Sequence, residues 1–518
     1  MTGRRRLAAP ALAGVAAGGV TLGVAGLVAA FGTAGSEPLL AVGGAFVDVT
    51  PAWLKDLAVR TFGTADKTAL AVGSLLVFAA LAALAGVLAA RRFALGAGLV
   101  VLLGAAAAAA AVTREGAGPG AALPSLLGAT AGLIALAVLV RRLPAPAPEP
   151  GEAPPADAAP PPPGADRRTF LAATGMVAFV AVTAAAAGRV VAAARTTAVT
   201  VRSVVQLPAA KVTVPPAPAA ASAPVAGLVP VVTPNAAFYR IDTALWVPYI
   251  DPADWVLRVH GLVEREVTIR WEDLIAEDLV EAWVTLACVS NPIGGDLVGN
   301  AKWLGWPIRE LLARAGPLPG ADMVLSRSLD GFTASTPLEV LTEERNALLA
   351  IGMNGEPLPQ EHGFPVRMVV PGLFGYVSAT KWVVDLEVTR FADAEAYWTQ
   401  RGWAPRGPVK TAARVEVPRP NATVAAGPVM VGGTALAQHR GIERVEVRVD
   451  GGPWQEATLA EAIHVDTWVQ WSWRWDAEPG RHRLSVRAWD PDGPQTEAVT
   501  GVVPDGATGY DGVDVTVE

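Results

Sequence analysis

Five apolar stretches fill much of the first 190 residues: Leu7–Phe31, Thr68–Ala90, Phe93–Val112, Ala121–Val140 and Phe170–Ala187. Crossing a hydrocarbon core of about 30 Å takes roughly 20 residues as a helix, so each stretch is long enough to span a membrane. The third and fifth are Ala-rich and less apolar than the second and fourth. Paired or triple arginines (Arg4 to Arg6, Arg91–Arg92, Arg141–Arg142) precede, separate or follow the spans so that all three clusters share one side if the N-terminus is inside. The intervening segment 32–67 then faces outward, and an odd number of spans places the rest of the chain outside as well. The expected location is the cell membrane, multi-pass, with a cytoplasmic N-terminus and an extracytoplasmic C-terminal portion.

Charge divides the chain at the same point. Residues 1–200 carry 15 Lys and Arg against 9 Asp and Glu, whereas the remaining 318 carry 26 against 39. The second part therefore reads as an ordinary acidic globular protein, with no basic footprint for nucleic acid. A Pro/Ala tract near 143–166 cannot donate enough backbone hydrogen bonds for a helix and is expected to be a cytoplasmic linker. It ends in Arg167-Arg168-Thr169-Phe170-Leu171. Two readings fit that ending: two more positive-inside arginines, or an internal twin-arginine export signal, a route that carries folded proteins. All five histidines (His260, His362, His439, His464, His482) lie beyond the spans. Haem between membrane helices needs His or Met axial ligands, so the membrane part reads as an anchor with no haem. Few charges fall inside the spans, which argues against a transport pathway.

The expected domains are 1–190 membrane helices, 191–230 linker, 231–404 a mixed α+β domain and 405–518 a strand-only domain. In the α+β domain "WVLRVHG", "REVTIRW", "FPVRMVVPG" and "TKWVVDLEVTRF" alternate as strands, while "IRELLARAG" and "LEVLTEERNALLAIG" show helical periodicity. In the last domain "RVEVRVDGG" places Val445, Val447 and Val449 on one face, with Asp450-Gly451 as hairpin turn. An immunoglobulin-like β-sandwich without a disulfide follows.

Cys288 is the only cysteine, so no intramolecular disulfide forms. A lone cysteine after "WVTLA" is ordinarily a small buried apolar residue. Against that stand Gly294, Gly295 and Gly299, which let backbone approach something closely, and an exported location where an idle thiol invites oxidation. No Cys or His pair at ligand spacing lies nearby, which excludes a tetrahedral zinc site. One thiolate completed by an organic cofactor remains open.

The ordered set "NAAFYR", "WVLRVHGLV", the Cys288 segment, "GNAKWLGWPIRELL", "MNGEPLPQEHGFPVRMVVPG", "SATKW" and the terminal sandwich, over about Thr233 to Ala498, resembles the sulfite oxidase family of molybdopterin enzymes. The resemblance implies a membrane-anchored oxidoreductase with one molybdenum–molybdopterin per chain. Cys288 would be the thiolate ligand of the metal. A soft, strongly donating sulfur suits a metal that cycles by two electrons. It further implies Arg240, Asn300, His362, Arg367, Ser378 and Lys381 around the cofactor. Arg240, Trp303 and Trp403 would stand with Cys288 at the reacting centre.

Departures from the family pattern bear on the substrate. Where sulfite-oxidising members follow the ligand cysteine with Asn-Arg-Arg, this chain has Asn291-Pro292-Ile293; where they carry Asp-Tyr, it has Gly402-Trp403. The cations and the tyrosine hydroxyl are thus expected to be missing. Each lost charge-assisted bond is worth about 1.5–3 kcal/mol, so a neutral or weakly charged oxo acceptor such as a sulfoxide fits better than sulfite. The alternatives are sulfite oxidation proper, and a cofactor-free binding or scaffold module. A separate electron donor or acceptor is implied, and so is a homodimer through the sandwich domain.

Overall fold

Helices run where the apolar stretches predict them, in a computed structural model that describes residues 2–31, 36–51, 54, 61, 66–113, 118–144, 167–195, 202, 205–243 and 247–518. They are Thr2–Ala29, Asp66–Arg91, Phe93–Val112, Leu123–Val140 and Arg167–Arg195. All five are long and apolar enough to cross a membrane. Outward side chains such as Leu76, Leu102, Phe179 and Val182 are apolar and more than half exposed. One further helix, Pro38–Val49, was not expected; a proline in its first turn starts it. The first helix packs against the second, fourth and fifth. Small residues permit this: a Cβ on Gly14 would lie 2.0 Å from the Ala82 carbonyl oxygen. The tract at 145–166 lies outside the described residues.

The second unit comprises Ala198–Thr243 and Val247–Glu518. Its first part is built on two five-stranded sheets. One has the order β2-β1-β10-β5-β6, from Val267–Arg270 (β2), Val256–Gly261 (β1), Val383–Thr389 (β10), Met323–Ser328 (β5) and Thr333–Pro337 (β6). The other has the order β3-β4-β7-β8, with β9 also paired to β7: Val280–Ala287 (β3), Val298–Pro307 (β4), Leu348–Met353 (β7), Glu356–Pro357 (β8) and Arg367–Val369 (β9). The core centres on Trp255, Leu257, Trp306, Leu311, Trp382 and Leu386.

Two expectations are revised. "LEVLTEERNALLAIG" is helical only over Leu338–Thr342, and its second half is β7. Every β7 residue is buried, so a continuous apolar run marks a central strand here and not a helix face. The Pro208–Pro224 tract, expected as linker, lies along the second unit. Val212 bridges to Val280, and the Pro215 carbonyl accepts from Trp283 Nε1 at 3.0 Å. Extended Pro-rich backbone keeps its carbonyls free for such contacts.

The C-terminal part is a sandwich of two sheets. One contains Ala412–Val417 (β11), Gly427–Leu436 (β13), Val469–Ala477 (β17) and Thr458–Leu459 (β16). The other contains Thr423–Val424 (β12), Asp511–Val517 (β20), Gly480–Asp490 (β18), Arg444–Val449 (β14) and Gln455–Glu456 (β15), with Gly493–Pro494 (β19) paired to β18. Val445 and Val447 are fully buried and Val449 partly so, and Asp450 and Gly451 both take positive φ, as a tight hairpin turn demands.

The sandwich grips β3 close to its end. Thr285 N–H donates to the Asp466 carbonyl at 2.9 Å, and Trp468 N–H donates to Thr285 Oγ1 at 2.9 Å. Gln438 Nε2 donates to the carbonyls of both Thr285 and Asp466. Thr285 Oγ1 in turn donates to Asn300 Oδ1 on β4 at 3.1 Å. Replacing Thr285 by Val keeps the shape but orphans buried partners on both sides. The expected loss of stability is about 1–3 kcal/mol per orphaned group, measured by thermal melting, with Thr285→Ser retaining most of the stability.

Candidate active site

Immediately after β3 the chain turns back on itself. Cys288 N–H donates to the Leu297 carbonyl at 2.9 Å and Asn291 N–H to the Cys288 carbonyl at 3.1 Å, while Asn291 Oδ1 accepts from Leu297 N–H at 2.9 Å. Gly294, at φ +72°, faces Asp511, whose Oδ1 would lie 2.4 Å from a Cβ there; only glycine fits. Arg414 of the sandwich donates to the Gly295 carbonyl at 2.6 Å. The turn is therefore held on both flanks, and it leaves the Cys288 thiol partly exposed on a cavity of about 850 Å³, part of it open to solvent. Burial pushes the thiol pKa up, opposed by hydrogen bonds from Ser290.

His362, Arg367 and Lys381, from β9 and the loops around it, line the same cavity. Arg367 is 5% exposed and donates only to backbone carbonyls: Met368 at 3.2 Å, His362 at 3.2 Å and Ala379 at 3.3 Å. Among the described residues it has no carboxylate partner. Burial lowers its pKa to about 10, so it stays protonated at neutral pH. His362 is buried, meets the Asn235 carbonyl through Nε2 at 3.2 Å, and is held neutral, its pKa lowered to about 4 by burial and by Arg367. Tyr239, Phe332, Tyr376, Trp382, Trp398 and Trp403 form aromatic walls, and Asp330 adds a carboxylate.

Of the residues expected from sequence, Cys288, His362, Arg367, Lys381 and Trp403 line the cavity and Arg240, Asn300, Trp303 and Ser378 do not. Arg240 stands behind the wall: its Nε pairs with Asp242, a lining carboxylate whose side chain is 1% exposed and which also pairs with Lys381. Trp303 is fully buried, donates to the Val284 carbonyl at 3.1 Å and lies under the Arg367 guanidinium, 5.2 Å from it. Asn300 is buried between β3 and the Val231 carbonyl, to which it donates at 2.9 Å. Ser378 donates to the Phe374 carbonyl at 2.9 Å. These three side chains are spent on the scaffold beneath the cavity.

Sequence reading missed Asp242, Asp330 and Tyr239. The first carries a faint signal, an acid two residues after Arg240 in an otherwise apolar "FYRIDTALW". Tyr239 also revises the expectation that the cavity has no tyrosine hydroxyl; one arrives from the segment before β1 instead of from Gly402-Trp403. Burial and the neighbouring Cys288 raise its pKa, so the phenol keeps its proton.

Among the described residues no group of three or more His, Cys, Asp or Glu could hold a metal ion. A metal on Cys288 must bring its other ligands with it. A buried cation without a carboxylate, set across from a thiol, fits a bulky anionic group of that kind.

Residues 244–398 match the oxidoreductase molybdopterin binding domain family, and residues 412–486 the bacterial Ig domain family. The uncharacterized oxidoreductase YuiH of Bacillus subtilis (strain 168) is 34% identical over 162 residues, 31% of this chain and 78% of that protein. The chain belongs to the sulfite oxidase family of molybdopterin oxidoreductases. Mitochondrial sulfite oxidase of Mus musculus is 31% identical over 288 residues, 47% of this chain and 52% of that enzyme, so the chain spans about half the length of the curated sulfite oxidases it matches. The solved sulfane dehydrogenase SoxCD from Paracoccus pantotrophus aligns over 53% of this chain and 79% of that one, at 23% identity and a TM-score of 0.47. Membership implies a molybdenum–molybdopterin cofactor, and the residues around Cys288 and Arg367 fit it.

Arg367→Met separates cofactor binding from folding. Cofactor-free protein is expected to melt within a few degrees of wild type, because removing a buried charge offsets the hydrogen bonds lost by three backbone carbonyls. Molybdenum content, measured by elemental analysis, is expected to fall roughly tenfold or more, since a charge-assisted bond is worth about 1.5–3 kcal/mol.

Proposed function

We propose that the protein is a membrane-anchored enzyme that transfers an oxygen atom to or from a small, uncharged oxo compound, with a sulfoxide as the fitting class. The observation that carries this reading is the cavity itself, lined both by the sole thiol and by a buried Arg367 that has no carboxylate partner among the described residues. Bound there through Cys288, one cofactor per chain supplies the two-electron redox centre. His362 and Lys381 hold its periphery, and Arg367 offsets its negative charge. The aromatic walls exclude water and receive the apolar substituents of the substrate. Reduction of a sulfoxide yields a sulfide and water, consuming two electrons and two protons. The electrons come from a separate donor.

Charge supports the substrate class. The turn after Cys288 carries Pro292 and Ile293 in place of arginines. Arg240 is paired with Asp242 and off the wall, while Asp330 is on it. A small dianion therefore meets less positive potential than its charge requires, whereas an uncharged oxo group does not depend on it. Sulfite oxidation is the second reading, supported by the similarity to mitochondrial sulfite oxidases. A scaffold that has lost its cofactor is the third; the carboxylate-free Arg367 speaks against it.

The five apolar helices support the anchor, and the arginine clusters support a cytoplasmic N-terminus with the cavity outside. Docking of a second copy through the sandwich is the assembly that the family suggests.

In detergent-purified protein, turnover of dimethyl sulfoxide with a reduced dye is expected to exceed sulfite oxidation by about tenfold or more, the worth of one missing charge-assisted contact. Cys288→Ser is expected to abolish turnover. Faster sulfite oxidation would replace the first reading by the second, and correctly exported protein without molybdenum would establish the third.

A further inference from the structure

Tyr239 stands out among the hydroxyls lining the cavity because, among the described residues, it has no hydrogen-bond partner. Its ring is fixed: it stacks on Phe238 at 5.3 Å and 22°. Phe238 is buried and meets Trp303 edge-on at 5.9 Å and His362 at 5.6 Å. The hydroxyl points toward the metal-binding side. A Cβ on Gly375 would lie 3.8 Å from Tyr239 Oη and equally 3.8 Å from the carbonyl of Ala287, the residue before Cys288. The hydroxyl thus lies near the backbone that leads into Cys288.

The other hydroxyl and cationic donors named on the wall have partners, while the indole N–H groups of Trp398 and Trp403 sit on it as well. Tyr376 donates to the Ala404 carbonyl at 2.7 Å and Thr243 to Asp330 at 3.4 Å. Lys381 is held by Asp242 and by the Glu361 carbonyl at 3.1 Å, and Arg367 by three carbonyls. Among the described residues Tyr239 Oη has no hydrogen-bond partner, although it is half-buried and lines the cavity with Cys288. A phenol in that position is available to a ligand that enters the cavity.

We infer that the Tyr239 hydroxyl is the hydrogen-bond donor to the transferred oxygen of the substrate, an inference that rests on the cavity being the oxygen-transfer site. A sulfoxide or other uncharged oxo compound carries a strong acceptor oxygen and apolar substituents. The aromatic walls receive the substituents, and the one free phenol receives the oxygen. Tyr239 donates a hydrogen bond and keeps its proton, so no electron or atom passes through it. As negative charge grows on that oxygen while its bond to sulfur breaks, a fixed donor becomes more valuable than in the ground state. The residue thus supplies, from a different part of the chain, the hydroxyl that Gly402-Trp403 lacks.

The test is Tyr239→Phe in the full-length, cofactor-loaded protein. The ring and its stacking survive, so molybdenum content and melting temperature are expected to match wild type. With dimethyl sulfoxide, kcat is expected to fall roughly 10²- to 10³-fold, as for loss of one oxyanion donor, while KM changes by less than about threefold. The Mo(V) electron paramagnetic resonance signal, recorded in H2O and D2O with dimethyl sulfoxide present, is expected to lose an exchangeable proton coupling in the variant. Full molybdenum with kcat within about twofold of wild type would overturn the inference alone. Loss of molybdenum from the variant would also overturn it, making Tyr239 a cofactor contact. Wild-type protein that carries molybdenum but reduces no oxo compound would overturn the functional reading and the inference with it.

Discussion

The hydrogen bonds around Thr285 fix the geometry on which the site depends. This one residue uses its N–H, its carbonyl and its hydroxyl to tie β3 to Asp466, Gln438 and Trp468 of the sandwich and to Asn300 of β4. Three residues later the chain delivers Cys288. Buried hydrogen bonds add only about 0.5–1.5 kcal/mol each but cost more when broken singly, so a cluster of them specifies position more than it stabilises. The sandwich is thereby a component of the Cys288 turn: Arg414 holds the Gly295 carbonyl, and Asp511 fills the space that a side chain at Gly294 would need.

Electrostatics then separates the cations of this cavity into two kinds. Arg240 and Lys381 share the buried Asp242, so much of their charge is cancelled within the protein. Arg367 has no such partner and keeps its charge in a low-dielectric setting where an uncompensated ion is costly. That cost is tolerable if an anion belongs there. On the proposed reading the cofactor is that anion, and little positive potential is left over for an anionic substrate.

Legibility followed physical locality. Strands with period-two burial, such as β14, and the short amphipathic helix Ile308–Ala315 could be read from pattern alone. The run Ala347–Gly352 could not, because a central strand buried on both faces has no period to detect. Cys288, His362, Arg367 and Lys381 were legible through a set of motifs, and the structure brings them to one cavity. Arg240 and Trp303 were assigned by the same motifs, yet their side chains go to Asp242 and to the Val284 carbonyl. Ion pairing and core packing depend on neighbours that sequence order does not reveal. Tyr239 was overlooked for that reason too: its neighbour Gly375 is more than a hundred residues away along the chain.

The central claim is that the only cysteine of the chain is a ligand of molybdenum. X-ray absorption at the molybdenum K-edge tests it directly, on full-length wild type and on Cys288→Ala loaded with cofactor. The account predicts a sulfur shell smaller by one scatterer in the variant, with the remaining sulfurs unchanged. An identical sulfur shell in the two proteins would contradict it.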